Sequence, residues 1–359
     1  MSRVVVAMSG GVDSSVAAAL MKQAGHEVIG VTMTLSPSES QAAPSGRGCC
    51  SVWDVTDAEK VAWKLDIPHY VFNLRQEFQK HVIDDFLDEY RQGRTPNPCR
   101  RCNQHIKFDH LLERARELGA DRVITGHYAR IRKDPDRCRL LRGKDRKKDQ
   151  SYVLASLTQE QLRHIEFPLG GYTKAEIRQL ARDLALGVAD KKESMDLCFI
   201  PDGDTAGFLS KQLGESEPGT IVDSSGKRLG EHRGLPFYTV GQRKGLGIHS
   251  DRPRYVLALN VVDNSLVVGE ADELLEGEMV VDELNWIAPE PPPRARVQYR
   301  STHPGDLARL ESDVGSVRVL FDRRQRALSP GQAAVFYFRQ EVLGGGTIAS
   351  VGREKALRQ

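Results

Sequence analysis

Along roughly the first third of the chain, short apolar runs alternate with stretches of helical period, the pattern of a parallel sheet covered by helices. The runs Arg3 to Met8, Glu27 to Met33, His69 to Leu74 and Arg122 to Thr125 predict strands, and helices are expected from Ser14, Thr56, Gln76 and Asp109. The third helix is the clearest. Phe78, Val82, Ile83, Phe86, Leu87 and Tyr90 share one face while Lys80, Asp84, Asp85 and Asp88 take the other, so that face should meet a core. From Gln159 to Leu186 the helical pattern continues, with Thr173 and Glu176 at the spacing of a capping box. After about Pro218 the texture changes to glycine-punctuated, β-branched runs: Gly219 to Val222, Phe237 to Val240, and Tyr255 to Val262 turning at Asp263-Asn264 into Leu266 to Val268. A stiff connector at Pro289 and Pro291 to Pro293 precedes further strand candidates, Ala295 to Tyr299, Ser316 to Phe321 and Ala333 to Phe338. The expected architecture is α/β: a parallel-sheet domain over 1–205, a small β-rich domain over 206–288 and a second β domain over 289–359.

Composition adds bounds. With 359 residues, 40% hydrophobic and 28% charged, the chain is too long for one ordinary domain and too apolar for a disordered one. The apolar run Val4 to Met8 ends at Ser9-Gly10, too short for a bilayer helix or signal core; no membrane partner and a cytoplasmic location are the expectation. A net charge of +2 argues against a nucleic-acid partner, yet it hides a segregation. Between Arg91 and Phe108 stand five basic and no acidic residues, and between Arg130 and Lys148 ten basic against three acidic. Those loops predict a local RNA-binding face.

Two segments carry candidate chemistry. Ala7-Met8-Ser9-Gly10-Gly11-Val12-Asp13-Ser14-Ser15 lies between the first strand and the first helix. Its glycines let successive N–H groups face an anion, and the helix adds the positive end of its dipole. It is not the Walker loop, which needs a lysine after its second glycine, and it is not the dinucleotide fingerprint. The second segment is Thr95-Pro96-Asn97-Pro98-Cys99-Arg100-Arg101-Cys102-Asn103. Its prolines and asparagines predict a loop, and its Cys-x-x-Cys pair suits a metal or thiol chemistry, with flanking arginines lowering the thiol pKa. The remaining thiols are Cys49 and Cys50, read as bystanders, Cys138 in a charged loop, and Cys198 in Asp196-Leu197-Cys198-Phe199-Ile200-Pro201.

The Ser-Gly-Gly-Val-Asp-Ser-Ser run resembles the signature of the ATP pyrophosphatase, or PP-loop, superfamily. The ordered set of that loop, Thr-Pro-Asn-Pro, Gly126-His127-Tyr128-Ala129-Arg130, Lys148-Asp149-Gln150-Ser151-Tyr152, Cys198-Phe199-Ile200 and Thr239-Val240-Gly241-Gln242-Arg243-Lys244-Gly245-Leu246-Gly247 is similar to that of the bacterial tRNA-specific 2-thiouridylases across essentially the whole chain. The resemblance implies an adenine nucleotide alpha-hydrolase-like first domain and a barrel-like, tRNA-binding last one. It implies ATP and Mg²⁺ as cofactors, with ATP held by Ala7, Met8, Ser9, Gly10, Gly11, Val12, Asp13, Ser14, Met33 and Gly126, and Asp13 helping to hold the metal. It implies exchange of the 2-oxygen of a wobble uridine for sulfur, with Cys102 as nucleophile and Cys198 carrying a persulfide, the two able to form a disulfide. For tRNA contact it points to Asn97, Pro98, Cys99, His127, Asp149, Gln150, Ser151, Tyr299, Arg300 and Gln332. The tRNAs would be those for lysine, glutamate and glutamine, and the sulfur donor a persulfide relay protein or a cysteine desulfurase. One departure stands out: Cys99 replaces the aspartate that many members carry. Cys99, Cys102 and Cys198 together suit a [4Fe–4S] cluster with one open iron, so cluster and persulfide routes both stay open. Rival readings are a small-molecule PP-loop synthetase and a non-catalytic metal-binding RNA module.

Overall fold

The computed structural model describes residues 2–35, 52–191, 197–200 and 203–352; Cys49 and Cys50 lie outside them. The chain divides into two compact units, 1–82 with 99–203 and 340–342, and 83–98 with 204–339 and 343–359.

The first unit is built on a five-stranded parallel sheet. Strands β1 (Arg3–Ala7), β2 (Glu27–Thr34), β3 (His69–Asn73), β4 (Arg122–Ile124) and β7 (Ile165–Glu166) stand in the order β3-β2-β1-β4-β7. Val4, Val5 and Val6 are all fully buried, as a strand covered on both faces requires. Helix α1 (Val12–Gln23) packs Val16, Ala17 and Ala18 into the same core as Val4, Val6, Ile177 and Ala181. The chain moves to one side of β1 for β2 and β3 and to the other for β4, so the sheet reverses direction of build at β1. The crevice beyond the carboxyl end of that strand is where such sheets bind ligands.

Helical segments Arg75–Phe78, Gln79–Ile83 and Asp84–Arg91 follow one another, the middle one a π-turn, and the expected apolar face is buried throughout. Thr173 and Glu176 form the expected capping box on helix Lys174–Asp183. There the Glu176 carboxyl is pulled down to about 2 by the Thr173 backbone N–H and by Lys144.

Cys138 is not in a charged loop. It opens strand β6 (Cys138–Arg142), which pairs antiparallel with β5 (Ala129–Lys133) and with Glu341-Val342. Cys138 and Leu140 alternate inward, 3% and 0% exposed, while Arg139 between them is half-buried and pairs with Asp134 and Glu341. The abundance of charge concealed a period-two pattern.

In the second unit β8 (Gly219–Asp223), β9 (Arg228–His232), β10 (Tyr255–Asn260) and β11 (Ser265–Gly269) form one sheet in the order β10-β11-β8-β9. The hairpin from β10 to β11 turns where expected, with Asn264 at φ 46°. Phe237 to Val240 is not a strand: Pro236, which lacks an N–H for a ladder, sits in a 3₁₀ turn, Leu235–Phe237. The C-terminal strands β12 (Leu275–Trp286), β13 (Arg294–Gln298), β14 (Asp306–Asp313), β15 (Ser316–Arg326), β16 (Ala333–Phe338) and β17 (Glu341–Val351) run in the order β12-β15-β14-β13-β16-β17. Pairing of β12 with β17 closes them into a six-stranded barrel. Because β12 is a barrel strand, the boundary expected at 288 falls earlier, between Gly269 and Leu275; the prolines form a loop within the barrel domain rather than a connector between domains.

Candidate active site

The phosphate loop occupies the switch point of the first sheet. Met8 N–H donates to the Val31 carbonyl (2.8 Å) and Thr32 Oγ1 donates to the Met8 carbonyl (2.8 Å), tying the loop entrance to β2. Ser9 N–H donates to Ser14 Oγ (3.1 Å), and Ser15 Oγ donates to the Gly11 carbonyl (2.9 Å). Gly10 has φ +67°, and a Cβ there would lie 2.2 Å from the Asp54 carbonyl oxygen; only glycine fits. Gly11 precedes α1 and no side chain caps that helix, which leaves its first turn the character of an anion site. At the end of β4, a Cβ on Gly126 would come within 2.9 Å of Asp13 C and Ser14 N, so the strand end closes directly over the loop. The structure thus gathers Ala7 to Ser14 with Gly126. Met33, 8% exposed, lies near the carboxyl end of β2.

Three residues that sequence reasoning did not assign complete this site. Lys174 Nζ contacts both oxygens of Asp13, at 2.8 and 2.7 Å, and Tyr128 Oη donates to Asp13 Oδ1 at 2.7 Å. Lys191 Nζ donates to the Gly10 carbonyl (3.0 Å), Asp54 (2.8 Å) and Asp57 (2.7 Å). Burial works to lower the Lys191 pKa, but the hydrogen bonds to Asp54 and Asp57 outweigh it and hold it above the ordinary lysine value. Neither lysine belongs to a local motif. Lys174 directly follows the cap Thr173, which was the one available signal.

The thiol segment is helical rather than a loop. Thr95 to Asn97 is irregular, but Pro98 begins the helical turn Pro98–Arg101 and Cys102 opens the π-helical stretch Cys102–His110. Proline at a first helical position loses no hydrogen bond and brings a suitable φ, so it starts this helix instead of forbidding it. Cys99 is exposed, Cys102 buried and Cys198 half-buried. Asn103, next to Cys102, donates from Nδ2 to the Val153 carbonyl at 3.1 Å. Phe199, beside Cys198, packs edge-on against Phe78 at 5.9 Å. Among the described residues no three His, Cys, Asp or Glu side chains come together as a metal requires. Cys99, Cys102 and Cys198, all among the described residues, are not gathered into such a group.

The other expected contacts separate into two groups. Asp149 accepts from Arg142 Nη1 (2.8 Å), Gly143 N–H (3.0 Å), Ser151 N–H (3.2 Å) and Ser151 Oγ (3.1 Å), and Gln150 Oε1 accepts from Tyr128 N–H (3.0 Å). Ser151 is fully buried. His127 is buried between Phe108 and Phe167, with Nδ1 2.7 Å from Thr125 Oγ1. Burial, then the nearby Lys107 charge, push its pKa well below the usual histidine value, so it stays neutral. In the second unit, Tyr299 is buried with its hydroxyl on Gln325 (3.0 Å). Arg300 and Gln332 line an open cavity of about 730 Å³ with Thr95, Gln242 and Ser329. Gln332 Nε2 donates to the Pro96 carbonyl at 3.2 Å and Arg300 Nη2 to the Ala327 carbonyl at 2.5 Å.

Three family models cover the chain in order: a tRNA methyl transferase HUP domain over residues 2–202, a tRNA methyl transferase PRC-barrel domain over 206–270 and an aminomethyltransferase beta-barrel domain over 276–348. The tRNA-specific 2-thiouridylase MnmA of Acidothermus cellulolyticus is 51% identical over 357 residues, 98% of this chain and 98% of that protein. The chain belongs to the tRNA-specific 2-thiouridylase family. Relatives of the same name from Carboxydothermus hydrogenoformans (48% identical, 96% of this chain and 97% of that one) and Geotalea uraniireducens (50%, 96% and 94%) match over nearly their whole lengths. Family membership extends beyond the phosphate loop to both β domains, which a small-molecule synthetase would not need. In the described part of this 2-thiouridylase-family chain no helix is long and apolar enough to cross a membrane.

Proposed function

We propose that this chain uses ATP to replace the 2-oxygen of a tRNA wobble uridine with sulfur. Full-length membership in the family named for that reaction carries the reading, and an uncapped helix start behind a glycine loop supplies a place for the nucleotide's phosphates. Uracil O2 is a poor leaving group. Its attack on the α-phosphorus, with departure of pyrophosphate and loss of the N3 proton, turns it into the oxygen of AMP. A persulfide on Cys198 then attacks C2 and AMP leaves. The Cys102 thiolate takes the Cys198 sulfur, which forms the disulfide and leaves sulfur on the base; a thiol reductant resets the pair.

The persulfide route is favoured over a cluster because the three thiols do not assemble into a ligand set. Asp13, whose two oxygens contact Lys174 in the structure, keeps lone pairs with which it would help to hold Mg²⁺ carried in by the nucleotide's phosphates. For the RNA, Arg300 and Gln332 at the cavity, with Asn97, Pro98 and Cys99 leading into the thiol helix, are the contacts we assign. Within the first unit Asp149, Gln150, Ser151 and His127 shape the loop around Tyr128, and Tyr299 supports the barrel wall of the second. A persulfide relay protein or cysteine desulfurase would load Cys198, and tRNAs for lysine, glutamate and glutamine are the substrates the family resemblance suggests.

The deciding experiment is nucleoside mass spectrometry of tRNA after incubation with iron-free enzyme, ATP, Mg²⁺ and a persulfide source. ATP-dependent gain of 2-thiouridine is expected. No gain by any preparation overturns the function, whereas gain only after iron and sulfide loading overturns the persulfide route alone.

A further inference from the structure

The phosphate loop turns on a peptide with glycine at both ends, and such a peptide can reverse at little cost because no Cβ resists either orientation. For an anion the orientation matters. In a planar trans peptide the C=O and the N–H point opposite ways, so the direction of the Gly10 carbonyl decides where the Gly11 N–H points. Among the described residues no acceptor meets that N–H. The Gly10 carbonyl, by contrast, is held. Lys191 Nζ donates to it at 3.0 Å and is itself fixed by Asp54 at 2.8 Å and Asp57 at 2.7 Å, both on helix Val52–Lys64. These acceptors use all the protons an ammonium has. The main chain around Lys191 is pinned as well. Arg178 donates to the Ala189 carbonyl (2.9 Å) and to the Lys191 carbonyl (3.3 Å), and Lys191 N–H donates to the Val188 carbonyl (3.1 Å). A side chain fixed at both ends is a strut.

We infer that Lys191 is the positioning residue of the phosphate loop, holding the Gly10–Gly11 peptide with its carbonyl turned away and its N–H presented to the nucleotide's phosphates. The inference rests on the nucleotide reading above and deepens it by naming what sets the donor's direction. Two effects act together. The ammonium locks one of two orientations that glycine alone leaves open, and a cation on the carbonyl polarises the peptide so that its N–H donates more strongly. Donors preorganised in this way count most as charge builds on the departing pyrophosphate. Reversal would carry the Gly11 φ from −98° into the left-handed range, open to glycine and disfavoured for alanine. In the observed orientation an alanine at position 11 has room, its Cβ meeting only Ser9 Oγ at 3.7 Å. Gly11→Ala therefore supplies by steric means what Lys191 supplies by hydrogen bonding. Position 10 offers no such substitute, since a Cβ there would strike the Asp54 carbonyl.

Calorimetric titration of the full chain with pyrophosphate, in a cycle of parent, Lys191→Met, Gly11→Ala and the double variant, separates this from a merely structural role. Lys191→Met should weaken binding about tenfold or more, the range for a charge-assisted hydrogen bond. In the Gly11→Ala background the same change should cost less than about threefold, because alanine already disfavours the reversed peptide. Lys191→Arg, which keeps the charge and its donors, should recover part of the loss. Asp57→Asn leaves the bond to Gly10 in place and should lower the melting temperature while moving affinity less than about threefold. Equal loss in both backgrounds, no loss from Lys191→Met, or an Asp57→Asn loss matching it would each overturn the inference, the last by assigning the effect to the ion pair alone. Should Lys191→Met not fold, Lys191→Gln takes its place in the cycle, with the same asymmetry expected between backgrounds. A parent that binds neither pyrophosphate nor ATP fails the nucleotide reading and takes this inference with it. A parent that thiolates tRNA, with equal loss in both backgrounds, sinks this inference and leaves the function standing.

Discussion

The phosphate loop and the basic stretch from Arg130 to Lys148 invert what a local count of charge suggests. The loop contains no cation, yet folding brings Lys174 onto Asp13 and Lys191 onto Gly10, Asp54 and Asp57. The basic stretch contains ten cations against three acids, yet folding spends much of that charge internally. Arg142 pairs with Asp149 (2.8 Å), Lys144 with Glu176 (3.0 Å), Arg137 and Arg139 with Glu341 (2.7 and 3.0 Å), and Arg132 and Arg139 with Asp134. Three of those carboxylates, Asp149, Glu176 and Glu341, come from outside the stretch. Charge that matters for a ligand is charge left over after folding, and proximity in sequence does not report it.

The comparison can be broken most forcefully at the loop. Gly10→Ala places a Cβ against the Asp54 backbone at a positive φ, and should cost at least about 2 kcal/mol together with ATP binding; thermal denaturation and nucleotide titration measure both. Retained ATP affinity would mean the loop has slack that the structure does not show.

Lys191→Met comes next. It leaves the buried Asp54 without its cation and should destabilise the chain by about 2 kcal/mol, below the range for a fully buried pair because Lys191 is partly exposed. The sign of its pH dependence follows from a pKa raised above the unfolded value. The stabilisation from Lys191 should be fully present below the unfolded lysine pKa of about 10.4 and disappear as pH rises through the folded value. Denaturation midpoints of parent and variant should therefore converge only at strongly alkaline pH; convergence near neutrality would assign the strut to packing alone.

The smallest effect separates the two kinds of arginine and lysine. Arg146 and Lys147 are exposed, and replacing both with Gln should reduce the salt slope of tRNA binding by about 1 to 2 without changing the melting temperature. Arg139→Gln, which removes contacts to Asp134 and Glu341, should lower the melting temperature and barely move the slope. If both variants change the slope alike, the ion pairs open when RNA binds and the stretch regains its full charge.

Much of the fold was readable because its signals are short-range. The runs of β1 to β4, the amphipathic face from Phe78 to Tyr90 and the Thr173 cap each depend on residues within a few positions of one another. The misreadings came where a local rule met a competing one. Pro98 reads as a breaker but serves as a helix start, Cys138 reads as part of a charged loop but alternates into a strand, and β12 precedes the prolines that looked like a domain boundary. Among site residues, Ala7 to Ser14 and Gly126 belong together by motif and by geometry.

By itself the sequence determined the parallel sheet, the glycine loop at its switch point, the order of the family's motifs and therefore the family. Only the tertiary structure placed Lys174 and Lys191 against the phosphate loop, left Cys99, Cys102 and Cys198 outside any described group of three metal-ligating side chains, and joined Asp149 to Arg142, Gly143 and Ser151. The physical reason is reach. Backbone propensity, capping and strand alternation act over a few residues, whereas ion pairing and metal ligation act through a few ångströms of space, between positions as distant in sequence as Asp13 and Lys174 or Arg139 and Glu341.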